Sequence, residues 1–409
     1  MAHGHHIDAS EDLAKTFEET GGWLLLPAAG VGVIGLVTAA FLGMSAGWER
    51  LAFSYLTAFC YFFSIAAAAT IFLMISHVCR AAWLTTVRRL AEYMSAGMWV
   101  YGLLFVPLLI VVASESGMVF PWTSQAYVDA HTLVQAKTWW LDVNQFLFRN
   151  VLYFAIFALL GRSMLKKSAA MDVEGADAVA LAKKLEKNSA WGIPLAALTL
   201  TAGAIDWIMT LAPEWYSTII GVYLFAGGAM GFFAVMSFLA IVLTQSGTLS
   251  KAITVEHRHD LGKLAFAFVV FWSYIAFSQY LLIWYADIPE ETVWYRVRQM
   301  NGWQYVGIAL VIGHFVIPFF GLMNKIVKRS SAGLPFWAAW ILVFHYVDLV
   351  YLIMPQVSDS PTGFGLIDLA CMAGVGGCVV AGAAYSAAGT KLVAAGDPRI
   401  PEAMAYHNV

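Results

Sequence analysis

The stretch Thr254–Glu291, TVEHRHDLGKLAFAFVVFWSYIAFSQYLLIWYADIPEE, decides the fold class. It opens on a charged turn (Glu256, His257, Arg258, His259, Asp260). It then runs from Leu264 to Ala286 without a formal charge and closes on Asp287, Glu290 and Glu291. Some twenty apolar residues, each rising about 1.5 Å in a helix, cross roughly 30 Å of hydrocarbon. The polar interruptions are few (Ser273, Ser278, Gln279), and Tyr and Trp crowd one end, as they do at a headgroup layer. The stretch reads as one membrane helix packed among others.

The rest of the chain repeats the pattern. Of 409 residues, 60% are hydrophobic and 12% charged, about half the charged share of a soluble domain. The net charge of −3 gives no reason to expect a nucleic-acid partner. Apolar runs predict an all-α integral membrane protein of ten spans: Trp23–Gly43, Leu51–Cys79, Tyr93–Ala113, Gln145–Leu165, Ala190–Leu211, Ser217–Leu243, Leu264–Ala286, Gly302–Ile326, Gly333–Met354 and Thr362–Thr390. The ten-helix domain is expected over 23–390, between an amino-terminal tail of 1–22 and a carboxy-terminal tail of 391–409. The last span is rich in glycine (Gly374, Gly376, Gly377, Gly382), a composition that lets helix backbones approach closely.

Lys and Arg set the orientation. With the amino terminus inside, only Arg50, Lys137, Arg149, Arg296 and Arg298, of 23 basic residues, fall on outer segments. The positive-inside rule therefore puts both termini in the cytoplasm. The alternating charges of the inner loop 162–188 read as a surface helix or, more simply, as a solvated connector. The outer segment Ser114–Asn144, aromatic and low in charge, suits a face covered by a partner.

The cysteines Cys60, Cys79, Cys371 and Cys378 form no CxxC or CxxCH, so covalent haem and a cysteine-held iron–sulfur cluster are not expected. The amino-terminal HGHH reads as a solvated tail, with no cleavable signal pattern and no metal site. The EHRHD cluster reads as a solvated or docking turn.

An ionisable side chain inside a span is costly and so a functional candidate. Three carboxylates qualify: Asp206, Asp348 and Asp368. Counted back from their outer helix ends, all three lie roughly 8–9 Å deep, with Gln279 at about 10 Å. His345, three residues before Asp348, shares its helix face. His314 lies deeper, and His77 and Arg80 mark the inner end of the second span. Carboxylates and imidazoles in such a ladder can pass protons. The bland alternative is that each group only bonds a neighbouring helix, for about 1 kcal/mol. His314 and His345, on adjacent spans, are also the one pair that a haem b could use. Asp142 and Arg149, seven residues apart, are expected to pair on one face, where with His131 they form a candidate quinol-proximal set.

Several motifs carry a family resemblance: TVEHRHDLGKLAFAFVVFWSYIAFSQYLLIWYADIPEETVWY, GHFVIPF, SHVCRAAWLTTVRRLAEYM, AIDWIMTLAPEWYSTIIGVYLFAGG and GDPRIPEAMAYHN. Together they resemble the ActF-type, NrfD-like membrane subunit of alternative complex III, a bacterial quinol-oxidising complex. The resemblance spans the chain from about Trp48 onward.

It implies a polysulfide-reductase-type domain with two four-helix bundles and two further helices, in the bacterial inner membrane. It also implies no redox cofactor in this chain, with menaquinol or ubiquinol as substrate of the complex. Haem c and iron–sulfur clusters would sit in outer-side cytochrome and iron–sulfur partner subunits, beside small membrane subunits. A paralogous NrfD-like subunit would hold the quinol site, and proton conduction would suit the Asp and His ladder here. The competing expectations are a purely structural anchor and a secondary transporter. The latter calls for spans broken at matching places in two halves, which Pro107, Pro194 and Pro318 do not provide.

Overall fold

The computed structural model describes residues 9–357 and 363–407. The HGHH run lies outside these residues. Among them there is no strand, only an isolated bridge between Thr16 and Lys391. Ten helices are long and apolar enough to cross a membrane, and the protein is an all-α, multi-pass integral membrane protein. They are α1 (Gly22–Ala46), α2 (Trp48–Val78), α3 (Arg88–Ala113), α4 (Val143–Ala170), α5 (Ala178–Leu211), α6 (Ile220–Gln245), α7 (Val255–Ala286), α8 (Trp303–Met323), α9 (Gly333–Gln356) and α10 (Leu366–Ala387). A short helix, Pro289–Val297, joins α7 to α8.

Helices α2 to α5 pack as one four-helix group and α6 to α9 as another, joined mainly through α2 and α6. The helices α1 and α10 pack tightly on each other, with α10 also lying along α2. Glycine makes that pairing possible. A Cβ on Gly35 would stand 2.4 Å from the backbone of Gly374, and one on Gly377 would stand 2.4 Å from that of Gly32. The same device brings α6 against α2, where a Cβ on Gly228 would meet the Ser64 carbonyl at 2.4 Å. These contacts leave no room for any side chain.

Several inner-side expectations need correction. The helix of α3 begins at Arg88, five residues before the hydropathy reading placed it, because its charges are neutralised in the fold. Arg88 bonds Glu92 at 2.8 Å and Asp397 at 2.7 Å, while Arg89 pairs with Asp172 at 2.7 Å; all are buried or nearly so. The carboxy-terminal tail supplies Asp397 and buries Leu392, Val393 and Ala394, so it packs as a cap on the helices. The amino-terminal segment packs too: buried Asp12 accepts from the backbone of Lys251 and Ala252.

The EHRHD cluster is the first turn of α7, not a solvated turn. His257, Arg258, His259 and Asp260 are buried, His257 Nε2 meets the Ala403 carbonyl at 3.1 Å, and Tyr406 donates to Asp260. It is a docking turn, and what docks there is the chain's own end. In place of a separate surface helix across 162–188, α4 runs on to Ala170 and α5 starts at Ala178.

Candidate functional site

The ends of the helices near the 114–142 segment, outer in the charge reading, hold most of the candidate groups. The structure divides them into three places. The shared depth expected for Asp206, Asp348 and Asp368 does not bring them into one site, because they sit in different helix groups.

Asp206, near the end of α5, is saturated with donors. Arg149 of α4 grips it through Nε and one terminal nitrogen, both at 3.0 Å, Trp140 Nε1 donates at 2.8 Å and Tyr153 Oη at 3.1 Å. The Arg149 guanidinium also stacks over the Trp140 ring at 4.1 Å. Asp142 does not pair with Arg149 as its spacing suggested. It caps α4 by accepting from the Gln145 amide at 2.9 Å. His131 stacks on Tyr127 with ring centroids 3.9 Å apart and bonds that residue's carbonyl. His131, Asp142 and Arg149 thus form no common pocket.

Asp368, on the first turn of α10, pairs with Arg50 of α2 at 2.6 Å and caps its own helix by accepting from Gly365. Gln279 accepts from Ser217 at 3.1 Å and reaches toward Tyr295. Arg80 is exposed and pairs with Glu186 across the inner surface. His77 is buried at the inner end of α2 with neither ring nitrogen hydrogen-bonded. No contact joins it to the groups below.

The third place brings candidates together. His314 (α8), His345 and Asp348 (α9) are buried, with one donor atom from each lying within 4.8 Å of the others. Each is held differently. His314 sits on a π-helical turn, Val311–Val316, in the middle of α8. Such turns are rare and frequently mark functional positions. Its ring stands edge-on to Trp272 of α7 at 4.2 Å, and neither of its nitrogens has a partner.

Asp348 accepts from Tyr223 Oη (α6) at 2.7 Å and from Trp272 Nε1 at 3.0 Å. His345 Nε2 lies 3.0 Å from Ser64 Oγ (α2), whose own hydrogen goes to the Tyr61 carbonyl at 2.9 Å. The hydroxyl has one hydrogen and has spent it, so the imidazole is the donor and its Nδ1 carries the free lone pair. That nitrogen is buried and unpartnered. Gly227 keeps the space beside it open: a Cβ there would stand 3.0 Å from Nδ1 and 3.6 Å from Asp348 Oδ2.

Two imidazoles and a carboxylate are also donors for a borderline divalent cation. Ligands around one zinc ion stand roughly 3.3 Å apart, so this set would have to close in to hold one. The rings of His314 and His345 stand 6.5 Å apart and nearly parallel at 12°, with Phe344 stacked on His314.

Beside this cluster lies a feature that the sequence reading missed. A cavity of about 680 Å³ opens between α7, the Pro289–Val297 helix, α8 and α9. Its walls are mostly aromatic, and it includes Tyr223 and Trp272, the two donors to Asp348. Arg298 is 1% exposed in the cavity wall and forms no salt bridge among the described residues; its guanidinium lies 3.3 Å from the centre of the Trp294 ring and donates to three backbone carbonyls. Burial pushes its pKa down to about 9. Only Arg296 and Arg298, following the acidic Asp287–Glu291 turn, signalled the place, and nothing in their spacing pointed to Tyr223 or Trp272.

No protein-family model matches this chain, and no curated protein matches it in sequence.

Proposed function

We propose that the chain is the membrane subunit of a quinol:acceptor oxidoreductase complex of a bacterial inner membrane, passing electrons to cytochrome c or a similar acceptor. In this reading it contributes a proton path and no redox cofactor of its own. Its partners would be a paralogous membrane subunit and outer-side iron–sulfur and cytochrome subunits, as the sequence resemblance implies.

The observation that supports the reading is the buried group of Asp348, His345 and His314. Three unpartnered imidazole nitrogens in a protein interior are expensive, each costing about 1–3 kcal/mol. An interior that keeps them has a use for groups that bind and release protons. Asp348 would exchange with the free Nδ1 of His345, and His314 would take the next position. Ser64 and Tyr61 hold the tautomer that keeps Nδ1 receptive.

The test is the ratio of protons released to electrons transferred by the complex in liposomes. Asp348→Asn and His345→Gln should lower it at least several-fold with the complex still assembled. Wild-type ratios in both variants would sink the proposal.

A second reading, the structural anchor, is favoured by the other two carboxylates. Asp206 and Asp368 are each bound to an arginine of another helix, which is what helix-to-helix fastening looks like. For those two residues we adopt it.

A further inference from the structure

We propose that His314, His345 and Asp348 form an inhibitory binding site for a borderline divalent cation of the zinc class. The cation takes the atoms that the proton path uses, so the inhibition rests on the reading above, whereas the binding does not.

Among the described residues these three are the one group of His, Cys, Asp or Glu whose donor atoms converge, each within 4.8 Å of the others. Two imidazoles and a carboxylate, with a position left open, are a donor set that zinc takes readily. To reach tetrahedral spacing the widest pair must draw in from at most 4.8 Å to about 3.3 Å, a closure of up to about 1.5 Å. His314 can make that move without breaking a hydrogen bond, because neither of its nitrogens has one.

The surroundings are those of a ligand set. His345 gives its Nε2 hydrogen to Ser64 Oγ, 3.0 Å away, and Ser64 in turn donates to the Tyr61 carbonyl. Metal-binding imidazoles are held in this way, by a bond on the far nitrogen that turns the near lone pair toward the ion. Here the near nitrogen, Nδ1, is buried and unpartnered. Asp348 is braced by Tyr223 and Trp272, one on each oxygen, which leaves lone pairs on both. Gly227 opens a notch onto both residues: a Cβ there would stand 3.0 Å from Nδ1 and 3.6 Å from Oδ2. An ion seated beside that notch reaches both atoms at once.

One carboxylate does not neutralise a divalent charge in a protein interior, so the ion is held reversibly and is no fixed part of the fold. It has a way in. Tyr223 and Trp272, which hold Asp348, also line the aromatic cavity, and that cavity shares Tyr280, Tyr295 and Gln299 with a second one of about 390 Å³. The exposed Asp287, at the end of α7, stands in the wall of the second cavity. The charge of Arg298 in the first wall opposes a cation in passage, so uptake is slow.

The experiment uses the full-length chain purified in detergent, with Co²⁺ as probe and Zn²⁺ as competitor. Every protein tested carries His3→Ala, His5→Ala and His6→Ala, so that metal on the amino-terminal histidines does not count. Co²⁺ in a four- or five-coordinate site absorbs visible light far more strongly than the hydrated ion. One equivalent of Co²⁺ should give such a band, and Zn²⁺ should remove it. Ser64→Ala, which loses only the outer partner of His345, should weaken binding by roughly tenfold or more, and His345→Gln by at least as much. His77→Gln, whose ring is buried elsewhere, should bind as the parent does.

Should His345→Gln fail to fold, Gly227→Ala, which keeps all three ligands and fills the notch, must still weaken binding. No visible band in the parent protein, a band that His345→Gln and Gly227→Ala leave unchanged, or one lost equally in His77→Gln would each overturn the site. For the inhibition, Zn²⁺ at the concentration that saturates the site should lower the proton-to-electron ratio of the complex in liposomes several-fold, and a chelator should restore it. A bound ion that leaves the ratio untouched would refute the proton path and the inhibition drawn from it, with the site standing. Loss of the ratio in Asp348→Asn, with no metal bound by the parent protein, would overturn the site and leave the proposed function standing.

Discussion

Arg149 and Asp206, 57 residues apart in the chain, meet as a two-pronged ion pair at 3.0 Å that fastens α4 to α5. Removing one partner leaves the other buried and unpaired, at a cost of about 3 kcal/mol. Asp206→Asn should therefore lower the thermal midpoint and the yield of folded protein. Proton transfer per folded molecule should be unchanged. Heat-induced aggregation followed beside proton release separates the two; a loss of proton release at normal stability would return Asp206 to the path.

Ser64→Ala tests the tautomer. It removes the acceptor for His345 Nε2–H and frees the ring to move its hydrogen to Nδ1, closing the receptive nitrogen. The stability cost should be about 1 kcal/mol. The proton-to-electron ratio should fall several-fold, and Ser64→Thr should restore it in part. An unchanged ratio in Ser64→Ala would mean that the tautomer is set elsewhere.

Gly227→Ala asks whether the space beside His345 matters. The added methyl would stand 2.9 Å from His345 Cε1, so the ring must shift. We expect a folded protein with impaired proton release, whereas Gly30→Ala, on the same kind of span but with nothing within 4 Å, should behave as wild type. The pair of variants controls for the general effect of adding a methyl to a membrane helix.

The inner cap has a defined acid limit. Burial alone would raise the pKa of Asp397, but the hydrogen bonds from Arg399 and the charge of Arg88 outweigh it and hold the carboxyl well below its ordinary value. A depressed carboxyl contributes stability that is complete above the unfolded pKa, near 4, and is lost as the pH falls toward the folded one. Between pH 5 and 8 the cap should be indifferent to pH. Below about 4 the carboxy-terminal segment should become open to protease, and Asp397→Asn should show that openness already at neutral pH. Cleavage after Lys391 or Arg399, followed by mass spectrometry, reads it directly.

How much of this was legible in the sequence follows from what kind of signal each feature sends. Spans are written in twenty consecutive residues, and all ten were readable. His345 and Asp348 were readable as a pair because three residues on one helix face are neighbours in any fold. Tertiary partners are not written this way. Arg149 had Asp142 at a plausible helical spacing and Asp206 far off in sequence, and only packing of α4 on α5 decides between them. The charges of Arg88, Arg89 and Glu92 looked like a loop because hydropathy cannot see that Asp172 and Asp397 will arrive to neutralise them. The cavity was hidden for the same reason: its wall takes Tyr223, Trp272, Arg298 and Gly307 from four separate elements.

The pairing of α1 with α10 has a consequence for biogenesis. Of the ten spans described, α1 is made before the others and docks chiefly on α10, so it must wait in lipid while the eight between them are inserted. Its composition allows the delay: it carries no formal charge, and most of its surface stays exposed even in the finished fold. What keeps its place is a pair of glycine notches, open until Gly374 and Gly377 appear. A ribosome stalled before α10 should leave α1 held to α2 by Gly47 but without its main docking partner, and α1 takes its finished place only when α10 is inserted.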